Sequence, residues 1–384
     1  MQLIEDHGLL RFLTCGSVDD GKSTLIGRLL FDSKAILADT LSAIEKTSLK
    51  RGMQDVDLSL LTDGLQAERE QGITIDVAYR YFSTGTRKYI IADAPGHEQY
   101  TRNMVTAAST ANLAIILIDA RKGVQPQTRR HSYLAHLVGI PHLVVAVNKM
   151  DLVDYSQARF EEIKADYLAF AAQLGIQDVR FIPLSALKGD MVVDRSENLV
   201  WYDGDTLMEI LEAAPAAHTE HDEPFRFPVQ YVCRPQDSTN PELHDYRGFM
   251  GRVESGSIKV GDAVTVLPSG RTSSVKAIEL GGEPLREAIT EQSVTLLLTD
   301  EIDISRGDMI VKTDALPTQT KQVDATVCWL AEAPLDRART YLLRHTTRET
   351  KAKVAAIEWR VDINTLERQA AERLQMNDIA QVSF

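Results

Sequence analysis

The most constraining feature of this chain is the segment from Gly16 to Ser23, which fits the pattern GxxxxGK[ST]. An apolar run, Leu9 to Cys15, precedes it, and a stretch with helical character, Ser23 to Phe31, follows it. Glycines in such a turn let consecutive backbone N–H groups point at phosphate oxygens. The alternative, a glycine turn that merely opens a helix, is weak because composition alone rarely produces all four fixed positions. The sequence therefore predicts a phosphate cradle between a strand and a helix.

Each part of this segment has an expected task. Lys22 is expected to reach the β and γ phosphates, where it would act in catalysis, and Ser23 to offer its hydroxyl to Mg²⁺. The residues predicted to bind the nucleotide here are Gly16, Ser17, Val18, Asp19, Asp20, Gly21, Lys22, Ser23 and Thr24.

A second element follows the short apolar strand Tyr89 to Ala92. It is the sequence Asp93-Ala94-Pro95-Gly96, a DxxG pattern at a strand end. In this position Asp93 can hold Mg²⁺ through water, and the Gly96 N–H can meet the γ phosphate. We therefore predict Asp93 as a metal-binding residue and Gly96 as a nucleotide-binding residue.

Two further elements concern the base. The strand Leu143 to Val147 ends in Asn148-Lys149-Met150-Asp151, an NKxD pattern, and Ser185-Ala186-Leu187 follows the strand Phe181 to Leu184. The Asp151 carboxylate can accept hydrogen bonds from both N1–H and the exocyclic amine of guanine, which adenine does not offer. A site with an unpaired polar group loses on the order of 1 to 3 kcal/mol, so the wrong base is rejected. The prediction is a guanine nucleotide site, GTP or GDP, that includes Asn148, Lys149, Asp151, Ser185, Ala186 and Leu187.

Between the cradle and DxxG lies a charged stretch, Glu68 to Gly72, that runs into the β-prone Ile73 to Ile75. Thr74 is the natural second protein ligand for Mg²⁺, and we also predict it as a catalytic residue. The alternative is a threonine that only fills one face of a strand. With the flanking motifs, the switch interpretation is favoured: the segment orders around a γ phosphate and relaxes after hydrolysis.

Length and composition predict several domains. The 384 residues exceed what one compact core accommodates, and 44% hydrophobic residues is ordinary for a globular protein. No apolar stretch approaches the roughly 20 residues that span a bilayer, no basic n-region opens the chain, and the three cysteines form no CxxC pair. A cytoplasmic protein without a membrane partner is the expectation. The net charge of −13 makes nucleic acid an unexpected partner, although a local basic face would still allow it.

The pattern of apolar residues changes along the chain. Up to about residue 214, apolar strands alternate with amphipathic helices at His97 to Ala111, Gln127 to Val138 and Gln157 to Leu174, which predicts a doubly wound, mostly parallel α/β sheet over residues 1–214. A linker rich in alanine and proline follows. Short strands between glycine, proline and aspartate turns then predict one β barrel over 225–315 and a further β-rich domain over 320–384.

A GTP-binding domain followed by two β barrels resembles the translation-factor GTPases of the elongation factor Tu and 1-alpha type. The segment Arg247 to Gly256, together with Gly261-Asp262, is similar to the signature of their second domain. Within that superfamily, three stretches resemble the family of large, GTP-hydrolysing subunits of bacterial ATP sulfurylase (sulfate adenylyltransferase): Phe31 to Lys34, Asp57 to Glu70, and Tyr79 to Thr84.

This resemblance implies a division of labour with a partner. In that family a separate small catalytic subunit converts ATP and sulfate to adenosine 5′-phosphosulfate and pyrophosphate, while the large subunit hydrolyses GTP to drive this nucleotidyltransferase step. The resemblance implies a heterodimer, with higher-order assembly of heterodimers left open. The chain has one nucleotide cradle only, as a GTPase partner should.

The resemblance also assigns roles in hydrolysis. His97 follows DxxG and would help to place the attacking water; the alternative is a local hydrogen bond at a helix start. Asp19 corresponds to a cradle aspartate that helps to hold a monovalent cation in some relatives, with a solvated loop aspartate as the alternative. Arg69 and Arg102 are candidates for charge stabilisation, with surface ion pairing as the alternative for each.

Two points stay open from the sequence. The last β-rich segment is short for the third barrel of this family and stops at Phe384 in a strand-like stretch, so we expect the third barrel to be incomplete and the chain to be truncated from a longer polypeptide. The rival functions are a GTPase of the elongation- or release-factor type that binds tRNA or ribosomes, and a GTPase regulator of another enzyme.

Overall fold

The computed structural model describes residues 8–34, 44, 48, 58–61, 76–215, 223–235 and 245–384. The chain divides into two compact units. One consists of Met1–His218, Cys328–Pro334 and Trp359–Ala380, and the other of Thr219–Val327, Leu335–Glu358 and Gln381–Phe384. The predicted domain limits at residues 214, 225, 315 and 320 stay predictions.

The first unit is built on a six-stranded sheet. Its strands are β1 (Leu9–Gly16), β2 (Ala78–Ser83), β3 (Lys88–Asp93), β4 (Leu113–Asp119), β5 (His142–Asn148) and β6 (Val179–Pro183). They lie in the order β2-β3-β1-β4-β5-β6. The strands from β3 to β6 pair in parallel, and only the edge strand β2 runs antiparallel to its neighbour. The predicted doubly wound, mostly parallel sheet is confirmed.

In the part of the chain that the structure describes, five α-helices with defined bounds accompany this sheet, together with three short 3-10 helices. The α-helices are α1 (Lys22–Asp32), α2 (Thr101–Ala108), α3 (Pro126–Val138), α4 (Gln157–Leu174) and α5 (Leu207–Ala213). The 3-10 helices are Leu58–Leu61, Glu98–Tyr100 and Met150–Val153. Within the described residues, no helix is long and apolar enough to cross a membrane.

The ends of α3 and α4 follow from local chemistry. Gln125 and Thr128 form a capping box at the start of α3, with a proline in its first turn, and the Ser156 hydroxyl accepts a hydrogen bond from the Arg159 N–H at the start of α4. Both helices end at a glycine in the left-handed region, Gly139 and Gly175. Glycine adopts that conformation without a Cβ clash, so both helices stop where the sequence predicts.

The centre of the sheet is the core of the unit. All seven residues of β4 are buried, as expected for a parallel strand that is covered on both faces. The register sets Thr14 of β1 beside Asp93 of β3, and Asp119 of β4 beside Asn148 of β5. Polar residues therefore collect at the carboxyl edge of an otherwise apolar sheet, where ligands bind in this class of fold.

The second unit contains a closed β structure. Its strands are β7 (Arg226–Cys233), β8 (Gly248–Arg252), β9 (Ser257–Lys259), β10 (Ala263–Leu267), β11 (Arg271–Leu280), β12 (Glu283–Leu285), β13 (Glu287–Ile289), β14 (Ser293–Leu298) and β15 (Met309–Lys312). The order is β10-β15-β7-β8-β14-β11-β12, and β10 also pairs with β11. This additional pairing closes a ring of six strands, which confirms the predicted barrel.

The remaining strands are β16 (Asp324–Cys328), β17 (Thr340–His345), β18 (Arg348–Lys353), β19 (Ala356–Val361), β20 (Arg368–Gln369) and β21 (Ile379–Ser383). β17 and β18 form an antiparallel hairpin. β18 and β19 are separate strands, because the chain leaves the extended ladder at Val354 and Ala355, where Val354 is buried.

Candidate nucleotide site

The predicted phosphate cradle forms the turn between β1 and α1. In this turn the Lys22 side chain lies back across the loop, and its Nζ donates to Gly16 O at 3.2 Å and to Ser17 O at 3.1 Å. Gly96 of the DxxG element lies against the same group, since a Cβ built on Gly96 would be 2.4 Å from Lys22 Nζ and 2.8 Å from Gly16 O. The first two motifs therefore meet around one ammonium group, and only glycine fits at position 96.

The Lys22 ammonium lies in a buried and acidic setting. Burial lowers the pKa of Lys22, and the nearby Asp93 and Asp20 carboxylates oppose that shift. Lys22 and Asp93 are both buried. A phosphate anion beside Lys22 would favour its charged form in the same way. This arrangement suits the predicted role of Lys22 as a ligand of the β and γ phosphates.

Asp20 is a second buried carboxylate within the cradle. Its Oδ2 accepts a hydrogen bond from the Ser17 N–H at 2.6 Å, and its side chain is 1% exposed. Burial raises the pKa of Asp20 to about 6, although the Lys22 ammonium and the Ser17 N–H act in the opposite direction. Asp20 thus stabilises the loop through a buried hydrogen bond to the backbone.

The NKxD element is joined to the cradle by its first two residues. Asn148 Nδ2 donates to Asp20 O at 2.8 Å, and Lys149 Nζ donates to Asp19 O. Gly21 makes this approach feasible: its φ is +91°, and a Cβ at this position would lie 2.5 Å from Asn148 Nδ2. The elements predicted for the base and for the phosphates are therefore one connected structure.

Asp119, at the end of β4, is a site residue that sequence reasoning missed. Its Oδ2 lies 3.0 Å from Lys149 Nζ, and both of its oxygens accept hydrogen bonds from the Arg121 guanidinium. Burial alone would raise the pKa of Asp119, but the hydrogen bonds from Arg121 and Lys149 more than offset it and hold that pKa well below its usual range. Asp119 is thus a permanent counter-ion for Lys149. Its position one strand away from NKxD, at the same sheet edge, was the available signal.

The residues predicted to recognise guanine also lie together. Ser185 Oγ donates to Asp151 Oδ1 at 2.6 Å, and the Ala186 N–H donates to Asn148 Oδ1 at 3.0 Å. The loop from Ser185 to Leu187 is therefore attached to NKxD at two points. Since the Ala186 N–H already has an acceptor, a guanine O6 would share that donor or take the Leu187 N–H.

The predicted Mg²⁺ ligands are a hydroxyl, Ser23, and a carboxylate, Asp93. Both are hard oxygen donors of the kind that Mg²⁺ takes beside substrate phosphates, and Asp93 is buried close enough to Lys22 to influence its charge. The donor set therefore fits the ion. Thr74, the third predicted ligand and a predicted catalytic residue, lies outside the described residues, as does the switch segment around it. Among the described residues, no group of three or more His, Cys, Asp or Glu could hold a metal by itself.

Two of the residues proposed for hydrolysis, His97 and Arg102, make contacts with other residues of the chain. His97 Nδ1 accepts a hydrogen bond from the Gln99 N–H at 3.4 Å, and its ring lies edge-on to Tyr100 with 6.1 Å between centroids. This is the local contact that the alternative interpretation predicted, and it leaves Nε2 for a water. The Arg102 guanidinium donates to Leu330 O at 3.1 Å. Arg69 lies outside the described residues.

The other predicted residues line the same turn and loop. Val18 and Thr24 are partly buried, Asp19 is exposed with φ +67°, and the Leu187 side chain is 54% exposed. The four motifs are thus brought together at the carboxyl ends of β1, β3, β5 and β6. Their assignment as nucleotide ligands, residue by residue, stays a prediction.

Three family models match most of the chain. Residues 7–217 match the family model described as elongation factor Tu GTP binding domain, residues 249–311 match elongation factor Tu domain 2, and residues 322–384 match the GTP-eEF1A C-terminal domain-like family. The crystal structure of the S. cerevisiae Ski7 GTPase-like domain, bound to GDP and inorganic phosphate, superimposes with a TM-score of 0.52 at 20% identity, over 97% of this chain and 89% of that one. At this identity the likeness concerns the fold alone.

Relatives with much higher identity carry one name. The chain is 59% identical to sulfate adenylyltransferase subunit 1 of Cellvibrio japonicus, over 98% of its own length and 79% of the relative's. It is 57% identical to the subunit of the same name from Laribacter hongkongensis, over 99% and 78% of the two lengths. The chain contains a GTP-binding domain of the elongation factor Tu type, and it belongs to the sulfate adenylyltransferase subunit 1 family.

Proposed function

We propose that this chain is the GTP-hydrolysing, energy-coupling subunit of a sulfate adenylyltransferase. A separate small subunit would form adenosine 5′-phosphosulfate and pyrophosphate from ATP and sulfate, and hydrolysis of GTP would drive that unfavourable step. The observation that carries the proposal is the attachment of Asn148 and Lys149 to the phosphate cradle, because it connects the residues predicted to select guanine with those predicted to bind phosphate. The name shared by the relatives supplies the reaction.

The residues of the site would divide the work as follows. The cradle N–H groups and Lys22 bind the phosphates, and the Asp151 carboxylate selects guanine. His97 would orient the attacking water through Nε2, while its Nδ1 stays on the Gln99 N–H. Ser23 and Asp93 would hold Mg²⁺, which would supply positive charge to neutralise the phosphates. A monovalent cation at Asp19 is part of the proposal as an additional charge beside the phosphates.

Coupling requires that the partner distinguishes the two nucleotide states. A ligand shifts an equilibrium only through its differential affinity for the states involved, so the small subunit must bind the GTP and GDP forms unequally. The free energy of GTP hydrolysis can then bias the partner's reaction. We therefore propose a heterodimer in the cytoplasm, where both nucleotides are supplied, and leave assemblies of such heterodimers open.

The proposal predicts that GTP changes the partner's reaction. The chain is mixed with the small subunit, ATP, sulfate and Mg²⁺, and pyrophosphate release is followed with and without GTP, in the absence of pyrophosphatase. We expect GTP to raise both the rate and the final extent of adenylylsulfate formation severalfold while it is hydrolysed. A rise in the final extent is the decisive observation, because a regulator that merely activates the partner would change the rate alone.

The control is Lys22→Ala, which removes the ammonium that lies across the cradle and should leave only the reaction that occurs without GTP. If the wild-type chain hydrolyses GTP while neither the rate nor the extent changes, the coupling role is wrong. One of the rival interpretations, an elongation- or release-factor GTPase or a GTPase regulator of another enzyme, would then take its place.

A further inference from the structure

Arg28 connects two parts of the site that are far apart in sequence. It lies on α1, the helix that begins at the phosphate cradle. Its Nε donates to Ala186 O at 3.2 Å and one of its terminal nitrogens to Leu187 O at 2.5 Å. These carbonyls belong to the loop that follows β6, which is predicted to face the guanine base. No motif in the sequence points to this arginine.

Other groups surround the Arg28 guanidinium on both sides. The other terminal nitrogen of Arg28 pairs with Asp32 Oδ1, one helical turn further, at 3.5 Å, and the guanidinium carbon lies 5.8 Å from the centre of the Phe31 ring. The Arg28 side chain is only 19% exposed. On the side of the loop, Gly189 has a φ of +85°, and a Cβ there would come within 3.4 Å of the guanidinium. The loop turns closely around Arg28.

The contact with Arg28 also determines how one peptide group of the loop is oriented. The C=O of Ala186 and the N–H of Leu187 belong to the same planar peptide and point in opposite directions. A guanidinium on Ala186 O therefore fixes the direction of the Leu187 N–H, away from α1. The neighbouring Ala186 N–H is already engaged by Asn148 Oδ1 at 3.0 Å. Arg28 and Asn148 together set the orientation of both donors that could meet a guanine O6.

We infer that Arg28 is a positioning residue for base recognition, which orients the peptide between Ala186 and Leu187 toward the O6 oxygen of guanine. It touches neither the base nor the phosphates by this assignment; it acts through the loop. The inference rests on the proposed function, because it presumes a guanine nucleotide at this site.

The test compares two nucleotides, of which only one offers an acceptor to the loop. GDP carries O6 and N1–H, whereas 2-aminopurine riboside 5′-diphosphate lacks both. Because the difference at N1 is the same for the wild type and the variant, the effect of Arg28→Ala on each affinity isolates the contact with O6. Dissociation constants are measured for both, by displacement of a fluorescent GDP, on the wild type and on Arg28→Ala. We expect Arg28→Ala to weaken the binding of GDP about tenfold, which is the equivalent of one hydrogen bond. The affinity for the 2-aminopurine nucleotide should change less than twofold.

Two further variants separate positioning from stability. Asp32→Asn removes the ion pair of Arg28 but neither of its hydrogen bonds to the loop, so its GDP affinity should stay within about twofold of the wild type. Arg28→Lys keeps the charge with a single ammonium in place of the planar fork, and should fall between the wild type and Arg28→Ala. If Arg28→Ala does not fold, Arg28→Lys alone carries the comparison of the two nucleotides.

The assignment of Arg28 would be overturned if Arg28→Ala weakened the binding of both nucleotides equally, or if it did not weaken the binding of GDP. Either result removes the link to O6. A wild-type chain that binds GDP no better than the 2-aminopurine nucleotide is a distinct result. It would reject guanine recognition at this site and therefore the proposed function, before any arginine variant is considered.

Discussion

Asp151→Asn is expected to lower the affinity for GTP by about two to three orders of magnitude and to create affinity for XTP. The carboxylate of Asp151 can accept from both N1–H and the exocyclic amine of guanine. An amide presents a donor where guanine also presents one, so one hydrogen bond to a charged acceptor, of about 1.5 to 3 kcal/mol, is lost, and the other is weakened because the remaining oxygen is neutral. Xanthine carries an oxygen in place of the amine and restores the match. Equilibrium binding of GTP and XTP to both proteins measures the change.

The matched control for this variant is Asp154→Asn. Asp154 lies three residues further along, is exposed, and has a φ of +52°, which asparagine adopts readily. We expect its affinities for GTP and XTP to equal those of the wild type. The assignment of Asp151 to the base would fail if Asp151→Asn bound GTP as tightly as the wild type does. It would also fail if the folded variant lost affinity for GTP without gaining affinity for XTP.

The site could be predicted largely because its parts are local. Each motif occupies a few consecutive residues at the end of an apolar strand, and parallel strands bring their carboxyl ends to one edge. The β1 to α1 turn and the strand before Asn148 were therefore predictable from periodicity and glycine placement alone. The relative positions of the motifs follow from the order of the strands, in which β4 and β5 are neighbours.

Residues that act across long sequence separations could not be predicted in this way. Arg28 lies 158 residues from Ala186, and Asp119 meets Lys149 only because of the register of β4 against β5. An arginine on a helix or an aspartate after a strand has many possible partners, and spacing alone does not select one. The side chains of Arg28 and Asp119 are both largely buried in the folded chain, and a charged group that is removed from water needs a specific partner.

Hydrogen bonds from side chains to the backbone explain why one helix is shorter than predicted. A single helix was expected from His97 to Ala111, whereas α2 is Thr101–Ala108, preceded by a 3-10 turn. Ser109 Oγ donates to Thr106 O, and Thr110 Oγ1 to Ala107 O. Hydroxyl side chains that bond to the backbone compete with helix continuation.

The aromatic residues of β2 differ in burial. Phe82 is buried and stacks on Tyr89, whereas Tyr81 is 69% exposed.

Asp20→Asn is expected to stabilise the nucleotide-free protein at neutral and alkaline pH. Burial raises the pKa of Asp20 from 3.8 to about 6, so the folded state holds a proton over a pH range in which the unfolded state has released it. The resulting stabilisation is complete below about pH 4 and is lost as the pH rises to about 6. Above that pH the buried carboxylate is ionised at a cost of up to about 3 kcal/mol. An asparagine at this position stays neutral and can still accept from the Ser17 N–H.

The free energy of unfolding, measured with urea between pH 4 and pH 8, tests this expectation. The free energy of unfolding of Asp20→Asn should exceed that of the wild type by a small amount at pH 4. This difference should grow up to about pH 6 and stay constant above pH 7. Asp19→Asn is the control, because Asp19 is exposed in the same loop and its removal should change stability by less than about 0.5 kcal/mol at every pH. A difference between Asp20→Asn and the wild type that does not vary with pH would show that Asp20 is ionised throughout. The hydrogen bond from Ser17, and not the burial of a charge, would then determine what this carboxylate contributes to the cradle.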